Sequence, residues 1–506
     1  MSYVSLMDTT LRDGEQTQGV SFSATEKLSL AQALLGRLNV DRIEVASAGV
    51  SKGEQGSVEK INQWAAANGH LDKVEVLGFV DVNRSVDWIS GAGGKVINLL
   101  TKGSENHCVK QLRQTPEEHI EQIKKTIAYA HENGIAVNIY LEDWSNGYRD
   151  KPEYIYNLLT ALENENIGHC MLPDTLGVMS PDEVTVSLKD MLQRFPNYQF
   201  DFHPHNDYGL ATANVMAAVG AGINTIHCTV NCLGERAGNA SLAEVSVVLR
   251  DKMGLELGIN ENHIVDISQM VESFSGKFVA GNAPILGSDV FTQTAGIHAD
   301  GDKKGNLYVT KLSPERFSRK RTYALGKLAG KASIEKNLDE LGIKLNADDL
   351  KKVLEKVIAL GDSKQVITTD DLPFIIADVL ERSDLQRIRL IECKTYSSLS
   401  KESEVELTIS IDGKPFTEKG SGNGGYDAFI NALDKILNNE IDIARPTLVD
   451  YQVHIPRGGK TNALTEAVIT WQLANNKKMT TRGVHSNQVI AAIYATLKLI
   501  NTLLSR

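Results

Sequence analysis

The chain has 506 residues, of which 42% are hydrophobic and 23% are charged, close to the average of globular proteins. Its formal net charge of −11 argues against a nucleic-acid-binding protein, because phosphate contacts require a basic surface. The sequence predicts no membrane span, since it has no apolar run of about 18 residues. There is no export-signal pattern, and the five cysteines form no C-x-x-C pair, so we expect a cytoplasmic protein with reduced thiols.

The first half of the chain alternates short apolar runs with amphipathic segments, which is typical of consecutive strand–helix units. The predicted strands are 3–8, 42–46, 74–79, 96–101, 137–142, 169–173, 200–203 and 225–230. Helix start signals follow several of them, including the capping box Ser23-x-x-Glu26. Eight such units predict an α/β fold, a (β/α)8 TIM barrel. A doubly wound open sheet is the alternative, although it seldom needs eight regular units.

The second half of the chain changes character twice. A helix-rich stretch begins near Leu257, and the tail then reads strand, strand, helix, twice over. The predicted tail elements are strands 389–396 and 404–411 with helix 426–437, then strands 447–455 and 465–473 with helix 486–504. We therefore expect a catalytic barrel at 1–270, connecting subdomains at 271–387 and a regulatory α+β domain at 388–506.

A glycine pattern in the tail, Gly420-x-Gly422-x-x-Gly425, matches the dinucleotide-binding motif. It lies in a strand–strand–helix segment rather than in a βαβ unit. A turn that starts a helix is therefore the preferred interpretation of these glycines.

Ionisable residues follow the predicted barrel strands, at the ends where barrel enzymes place their active sites. Asp13 follows the first strand, and His203 and His205 end the seventh. An extended backbone points residues two apart to one side, so the imidazoles and the Asp13 carboxylate form a ligand set for a divalent cation. A polar rim with solvated histidines is the alternative. Similarly, Arg12 is either a rim ion-pair partner or a cation that stabilises an oxyanion, and Glu142 is either a salt-bridge partner or a general acid/base.

Four segments resemble the signatures of the alpha-isopropylmalate, homocitrate and citramalate synthases. They are DTTLRDGEQ at 8–16, HPHND at 203–207, GERAGN at 234–239 and GIHADG at 296–301. The resemblance covers nearly the whole chain, including the C-terminal module, and citramalate synthases are the most similar branch. The barrel is shared with hydroxymethylglutaryl-CoA lyase and the carboxyltransferase domain of pyruvate carboxylase, which lack that module.

The resemblance implies a Claisen-type condensation of acetyl-CoA with a 2-oxo acid bound to a divalent metal. Asp13, His203 and His205 match the metal ligands, with Asn239 as a weaker fourth, and two histidines favour zinc or manganese over magnesium. The resemblance also implies that Arg12 supports the keto oxygen, Glu142 acts as an acid/base catalyst and Thr175 binds the substrate carboxylate. It implies that His298 and Tyr308 help to deprotonate the acetyl methyl group. Asp300, Asn306 and Tyr308 are implied to contact acetyl-CoA.

The 2-oxo acid side chain is expected to lie against Leu77, Leu100 and Tyr140, at the ends of the third to fifth strands. Family members that take 2-oxoisovalerate tend to have a small residue at the position of Tyr140. These bulky residues therefore favour pyruvate as the substrate. The product would be (R)-citramalate and the pathway isoleucine biosynthesis. Ordinary barrel packing is the alternative interpretation of the three residues. A 2-isopropylmalate synthase in leucine biosynthesis is the second candidate. No added cation for a distal carboxylate is evident, which disfavours homocitrate synthase.

The C-terminal module resembles the leucine or isoleucine feedback domain of the family. It implies a homodimer with an apolar effector pocket, for which the candidates are Tyr426, Leu448, Tyr451 and Ile455. Hydrophobic core is the alternative role of these four residues. Two other functional classes stay open: an amino-acid sensor on an inactive barrel, against which the intact site residues argue, and a lyase, against which the C-terminal module argues.

Overall fold

A computed structural model describes residues 3–294, 298, 301, 304–305, 307–362, 367, 369–380, 387–441, 445–454, 465–473 and 478–504. The chain forms two compact units. The first comprises Met1–Phe291 with Val309–Lys320, and the second comprises Thr292–Tyr308 with Arg321–Arg506. The three predicted domain ranges stay a prediction.

The first unit is a closed barrel of eight parallel strands in sequence order. Its strands are β1 Ser5–Asp8, β2 Arg42–Ser47, β3 Val74–Phe79, β4 Val96–Lys102, β5 Ala136–Glu142, β6 Ile167–Asp174, β7 Phe200–Pro204 and β8 Thr225–Cys228. The barrel closes because β1 pairs in parallel with β8, with Ser5 opposite Thr225 and Asp8 opposite Cys228. The predicted barrel is thus confirmed and the open sheet excluded, while the strand ends differ from the prediction by only one or two residues.

Helices follow the strands and cover the outside of the barrel. They are α1 Ala24–Gln32, α2 Lys52–Ala67, α3 Arg84–Gly91, α4 Pro116–Glu132, α5 Trp144–Asp150, α6 Pro152–Leu162, α7 Pro181–Arg194, α8 Ala211–Ala221, α9 Leu242–Met253 and α10 Ile264–Ser275. The predicted capping box at Ser23 and Glu26 is formed at the start of α1. A Leu-, Ile- and Val-rich core lies between these helices and the strands, as the alternating pattern requires.

The interior of the barrel is more polar than the layer outside it. Arg42 of β2 pairs with Asp201 of β7, and Tyr140 of β5 hydrogen-bonds His227 of β8, so these side chains meet across the lumen. Barrel interiors are usually filled by layers of branched apolar side chains. A polar lumen is consistent with a functional site inside the barrel.

The second unit contains a short parallel pair of strands, a helical part and two three-stranded antiparallel sheets. Its elements are β9 Thr292–Gln293, β10 Thr322–Tyr323, α11 Lys331–Leu341, α12 Ala347–Asp362, α13 Leu372–Val379, β11 Ile388–Tyr396, β12 Ser403–Ile411, β13 Lys414–Gly422, α14 Gly425–Glu440, β14 Thr447–His454, β15 Thr465–Gln472, β16 Lys478–His485 and α15 Gln488–Leu504. Of the helices that the structure describes, none is long and apolar enough to cross a membrane.

The predicted strand–strand–helix repeat needs one correction, because each repeat has a third strand before its helix. The added strands are β13 and β16, and each lies at the edge of its three-stranded sheet. Both carry lysine and glycine, residues that are depleted in strands, which is why the sequence pattern missed them.

The glycines of the motif in the tail allow a helix to approach a strand closely. A Cβ atom at Gly420 would clash with the carbonyl oxygen of Ala428 and lie 2.6 Å from the amide nitrogen of Ala432, both on α14. Gly483 stands in the same relation to α15, 2.7 Å from the nitrogen of Ala495. The same contact in both repeats explains the glycines by packing and needs no nucleotide.

Replacing Gly420 by alanine should destabilise the C-terminal sheet–helix module by about 1–3 kcal/mol, because overpacking forces α14 away from β13. Hydrogen exchange of the α14 amides, measured on the full chain, should become faster. Gly424→Ala is the matched control, since a Cβ there meets nothing within 4 Å. Equal protection in the two variants would contradict the close-packing explanation.

Candidate metal centre

Three buried side chains from two parts of the barrel meet at one point. Asp13 lies in the loop after β1, His203 in β7 and His205 directly after β7, and one ligand atom of each lies within 4.8 Å of the others. The Asp13 Oδ2 atom is 3.1 Å from His203 Nε2 and 3.7 Å from His205 Nε2. Because β1 and β7 both flank β8, barrel closure itself brings these residues together.

Several polar atoms of this cluster are buried without a hydrogen-bond partner in the described part of the chain. They are Asp13 Oδ1, His205 Nδ1 and Asn239 Oδ1. Buried polar atoms are nearly always paired, so the unpaired oxygens of Asp13 and Asn239 suggest a ligand that supplies the missing contacts. Backbone pairing of His205 with Asn239 places the amide beside the cluster. A carboxylate, two imidazoles and an amide oxygen fit a divalent cation.

The cluster has the protonation state that metal binding requires. Burial alone would raise the pKa of Asp13, but the charge of Arg12 and the contacts with His203 and His205 lower this pKa well below its ordinary value. Burial lowers the pKa of His203 and of His205 to about 4. At neutral pH the carboxylate is therefore charged and both imidazoles are neutral.

Arg12 is fixed beside the cluster from several directions. Its Nη1 atom lies 3.3 Å from Asp13 Oδ2, and its Nε atom donates to the buried carboxylate of Glu44. Its Nη2 atom is 3.4 Å from the Tyr140 hydroxyl. The ion pair considered from the sequence is present, and it holds the guanidinium where it can also stabilise a negative oxygen.

Glu142 forms an ion pair with Lys102, which the sequence did not single out. The salt-bridge interpretation of Glu142 therefore has a structural partner, and its acid/base role stays a prediction. Thr175 accepts a hydrogen bond at 2.9 Å from the backbone of Asp143, next to Glu142. The structure thus places Thr175 beside the end of β5.

A separate apolar cluster lies inside the barrel next to the candidate ligands. Leu77 and Tyr140 are buried there with Met7 and Met171, and Leu100 packs against them. The Tyr140 ring stands perpendicular to His203, with centroids 5.8 Å apart. The structure brings together the three residues expected to contact the substrate side chain, and it adds the two methionines. Both methionines lie inside predicted strands, and this position is the sequence feature that could have identified them.

Sequence reasoning also missed three buried polar residues behind the cluster, Glu44, Asp201 and His227. Each is an ionisable side chain inside a predicted strand, a position that is seldom polar without a function or a partner. Their partners lie on other strands and are distant in sequence, so no local pattern could have identified them.

The remaining site residues belong to the second unit or lie outside the described residues. His298 and Tyr308 have ring centroids 4.3 Å apart, and Tyr426 and Tyr451 have centroids 5.1 Å apart. Leu448 and Tyr451 are 36% and 37% exposed, so β14 presents apolar side chains outside the core. Asp300, Asn306 and Ile455 lie outside the described residues, and their roles stay predictions.

Comparison with known families agrees with this architecture. An HMGL-like model matches residues 3–271, a homocitrate synthase post-HMGL domain-like model matches 285–365, and a LeuA allosteric (dimerisation) domain model matches 366–504. The chain belongs to the HMGL-like family. The resemblance to the alpha-isopropylmalate, homocitrate and citramalate synthases is thereby confirmed.

Individual relatives cover the whole chain. An (R)-citramalate synthase of Methanocaldococcus jannaschii is 32% identical over 99% of this chain and 100% of its own length. A 2-isopropylmalate synthase of the same organism is 31% identical over 99% of this chain and 95% of its own. Among solved structures, the HMG-CoA lyase of Bacillus subtilis covers 55% of this chain and 97% of its own, with 22% identity and a TM-score of 0.46.

Metal affinity should depend only weakly on pH above about pH 5. Protons compete with the metal for the imidazole nitrogens, and histidines with a pKa of about 4 are already neutral there. Titration of the metal-free protein with Mn²⁺ by calorimetry at pH 8, 7, 6 and 5 tests this. His205→Ala should abolish binding and His70→Ala should not. A steep loss of affinity below pH 7 would indicate ordinary histidine pKa values and contradict the account.

Proposed function

We propose that the protein is a citramalate synthase, which condenses acetyl-CoA with pyruvate and water to give (R)-citramalate and CoA. The observation that carries this proposal is the apolar cluster of buried Leu77 and Tyr140 with partly buried Leu100, beside the candidate ligand His203. Family membership supports the coarser assignment, a condensing acyl-transfer enzyme. The product would feed isoleucine biosynthesis.

The residues of the site divide the chemistry between them. Asp13, His203 and His205, with Asn239, would hold a divalent metal, which when bound supplies Lewis-acid polarisation of a keto group. Arg12 lies beside this position and would stabilise the alkoxide that forms when the keto carbon is attacked. Thr175 would bind the substrate carboxylate.

The condensation requires a base that removes a proton from the acetyl methyl group. The carbanion equivalent then forms the new bond to the keto carbon of pyruvate, and the keto oxygen takes up a proton. Water finally cleaves the thioester and releases CoA, which makes the reaction effectively irreversible. Glu142, and His298 with Tyr308, are the candidate acid/base groups of this reaction.

Steric exclusion gives the selectivity for the smaller 2-oxo acid. The methyl group of pyruvate fits against two leucines and a tyrosine, whereas the isopropyl group of 2-oxoisovalerate would have to displace buried side chains. The Tyr140 hydroxyl lies within 3.4 Å of Arg12 and 3.1 Å of His227, so this ring has little freedom to move aside. The alternative function is that of a 2-isopropylmalate synthase. The similarity to the 2-isopropylmalate synthase of Methanocaldococcus jannaschii supports this alternative.

Leu100→Ala should raise the ratio of kcat/KM for 2-oxoisovalerate over pyruvate by at least about 10-fold, because it opens the space that the isopropyl group needs. CoA release is measured with each 2-oxo acid in the wild type and in the variant. Leu99→Ala is the matched control, since Leu99 is the preceding residue of β4 and packs in the outer core. It should lower stability and leave the ratio unchanged.

A wild-type preference for 2-oxoisovalerate would overturn the pyruvate assignment and favour 2-isopropylmalate synthase. Absence of CoA release with any 2-oxo acid would overturn the condensing activity. The amino-acid sensor and the lyase would then become the favoured interpretations.

We also propose that the C-terminal module is an effector-binding, dimer-forming domain of a homodimer, with isoleucine as inhibitor and leucine as the alternative. The match to the LeuA allosteric (dimerisation) domain supports this, as does the apolar side of β14. Tyr426 and Tyr451 would line the effector pocket together with Leu448.

Tyr451→Ala should weaken inhibition by isoleucine at least about 10-fold, because it removes a large apolar contact from the effector pocket. The concentration of isoleucine that halves CoA release is measured for each variant. Tyr396→Ala, which removes an exposed tyrosine from β11 of the other sheet, should change it little. Equal inhibition of both variants and the wild type would place the effector elsewhere.

A further inference from the structure

His203 contacts a buried pair of side chains that no step above uses. Its Nδ1 atom lies 3.2 Å from Nδ1 of His227 in β8, and His227 Nε2 lies 3.1 Å from Oδ2 of Asp201 in β7. His203, His227 and Asp201 are at most 3% exposed. The three groups form a continuous line from the candidate metal position into the barrel interior.

Hydrogen-bond chemistry allows one arrangement of protons along this line when His203 binds a metal through Nε2. The ligating nitrogen carries no proton, so the proton of neutral His203 is on Nδ1 and points at His227 Nδ1. His227 must accept at that atom and therefore carries its own proton on Nε2. That proton faces the Asp201 carboxylate, which can only accept.

The Asp201 carboxylate is itself fixed in place. Arg42 forms an ion pair with Oδ2, and His169 Nδ1 lies 2.7 Å from Oδ1. Since both oxygens have partners, the carboxylate cannot rotate away from His227 without breaking buried contacts, which is costly.

The second histidine of the centre lacks such support. His205 Nδ1 has no hydrogen-bond partner in the part of the chain that the structure describes. The two candidate ligands are therefore not equivalent, and the interior of the barrel orients one of them.

We propose that Asp201 and His227 are positioning residues that set the tautomer and ring orientation of His203 as a metal ligand. This inference rests on the metal site of the proposed function. Partners behind a ligating histidine commonly hold the ring in place and raise its basicity, and their loss typically costs 10–100-fold in metal affinity. The Tyr140 hydroxyl lies 3.1 Å from the same His227 nitrogen, so it shares with His203 the lone pair that accepts there and links the substrate pocket to these residues.

The test compares Mn²⁺ affinities of the full-length, metal-free protein, measured by calorimetry without substrates. His227→Leu should weaken binding on the order of 10–100-fold. His227→Gln should restore most of the affinity, because its carbonyl oxygen can accept from His203 and its amide can donate to Asp201. Asn62→Leu is the control for a lost buried hydrogen bond, since Asn62 of α2 donates to the Ala92 carbonyl after α3, away from the centre.

Unchanged affinity in His227→Leu overturns the positioning role while leaving the metal site in place. Equal losses in the Leu and Gln variants also overturn it, because they would indicate a packing effect. Wild-type protein that binds no Mn²⁺ refutes the metal site and the inference together.

If His227→Leu fails to fold, ¹⁵N-histidine NMR of the Zn²⁺-loaded wild-type protein gives the answer. The proposal requires His203 protonated at Nδ1 and His227 protonated at Nε2. A His227 protonated at Nδ1 overturns it.

Discussion

The buried negative charge of Asp13 is the constraint on which the rest of the site depends. An isolated carboxylate in a barrel interior is costly, so it must be balanced by nearby charge or hydrogen bonds. Arg12 supplies that charge, and Glu44 in turn balances Arg12. The arrangement leaves Asp13 Oδ1 unpaired and places two neutral imidazoles against Asp13 Oδ2, which is an environment that suits a divalent cation.

The rest of the barrel interior also contains paired polar side chains. Arg42, Asp201 and His227 extend the pairing behind His203, and the lumen has little of the usual aliphatic filling. Removing Arg42 would leave the buried charge of Asp201 without its cationic partner, at a cost of about 3–5 kcal/mol. The apolar side chains that remain in the lumen, around Tyr140 and Leu77, lie together and shape the space beside the candidate ligands.

Sequence reasoning reached the barrel and the Asp13–His203–His205 cluster because both follow from local patterns. Once the barrel is assumed, the positions of the strand ends and the two-residue spacing of the histidines are enough to predict the cluster. The edge strands β13 and β16 were missed because their compositions are not strand-like. Lys102 and His227 were missed because their importance arises from partners on other strands, and such pairing depends on tertiary structure rather than on periodicity.

The most direct test of the central claim is a crystal structure of the protein with Mn²⁺ or Zn²⁺, with anomalous diffraction recorded at the edge of that metal. The account predicts one strong anomalous peak within bonding distance of an Asp13 carboxylate oxygen and of His203 Nε2, with His205 as the third ligand. A barrel mouth without a peak, or a peak bound to other residues, would contradict it.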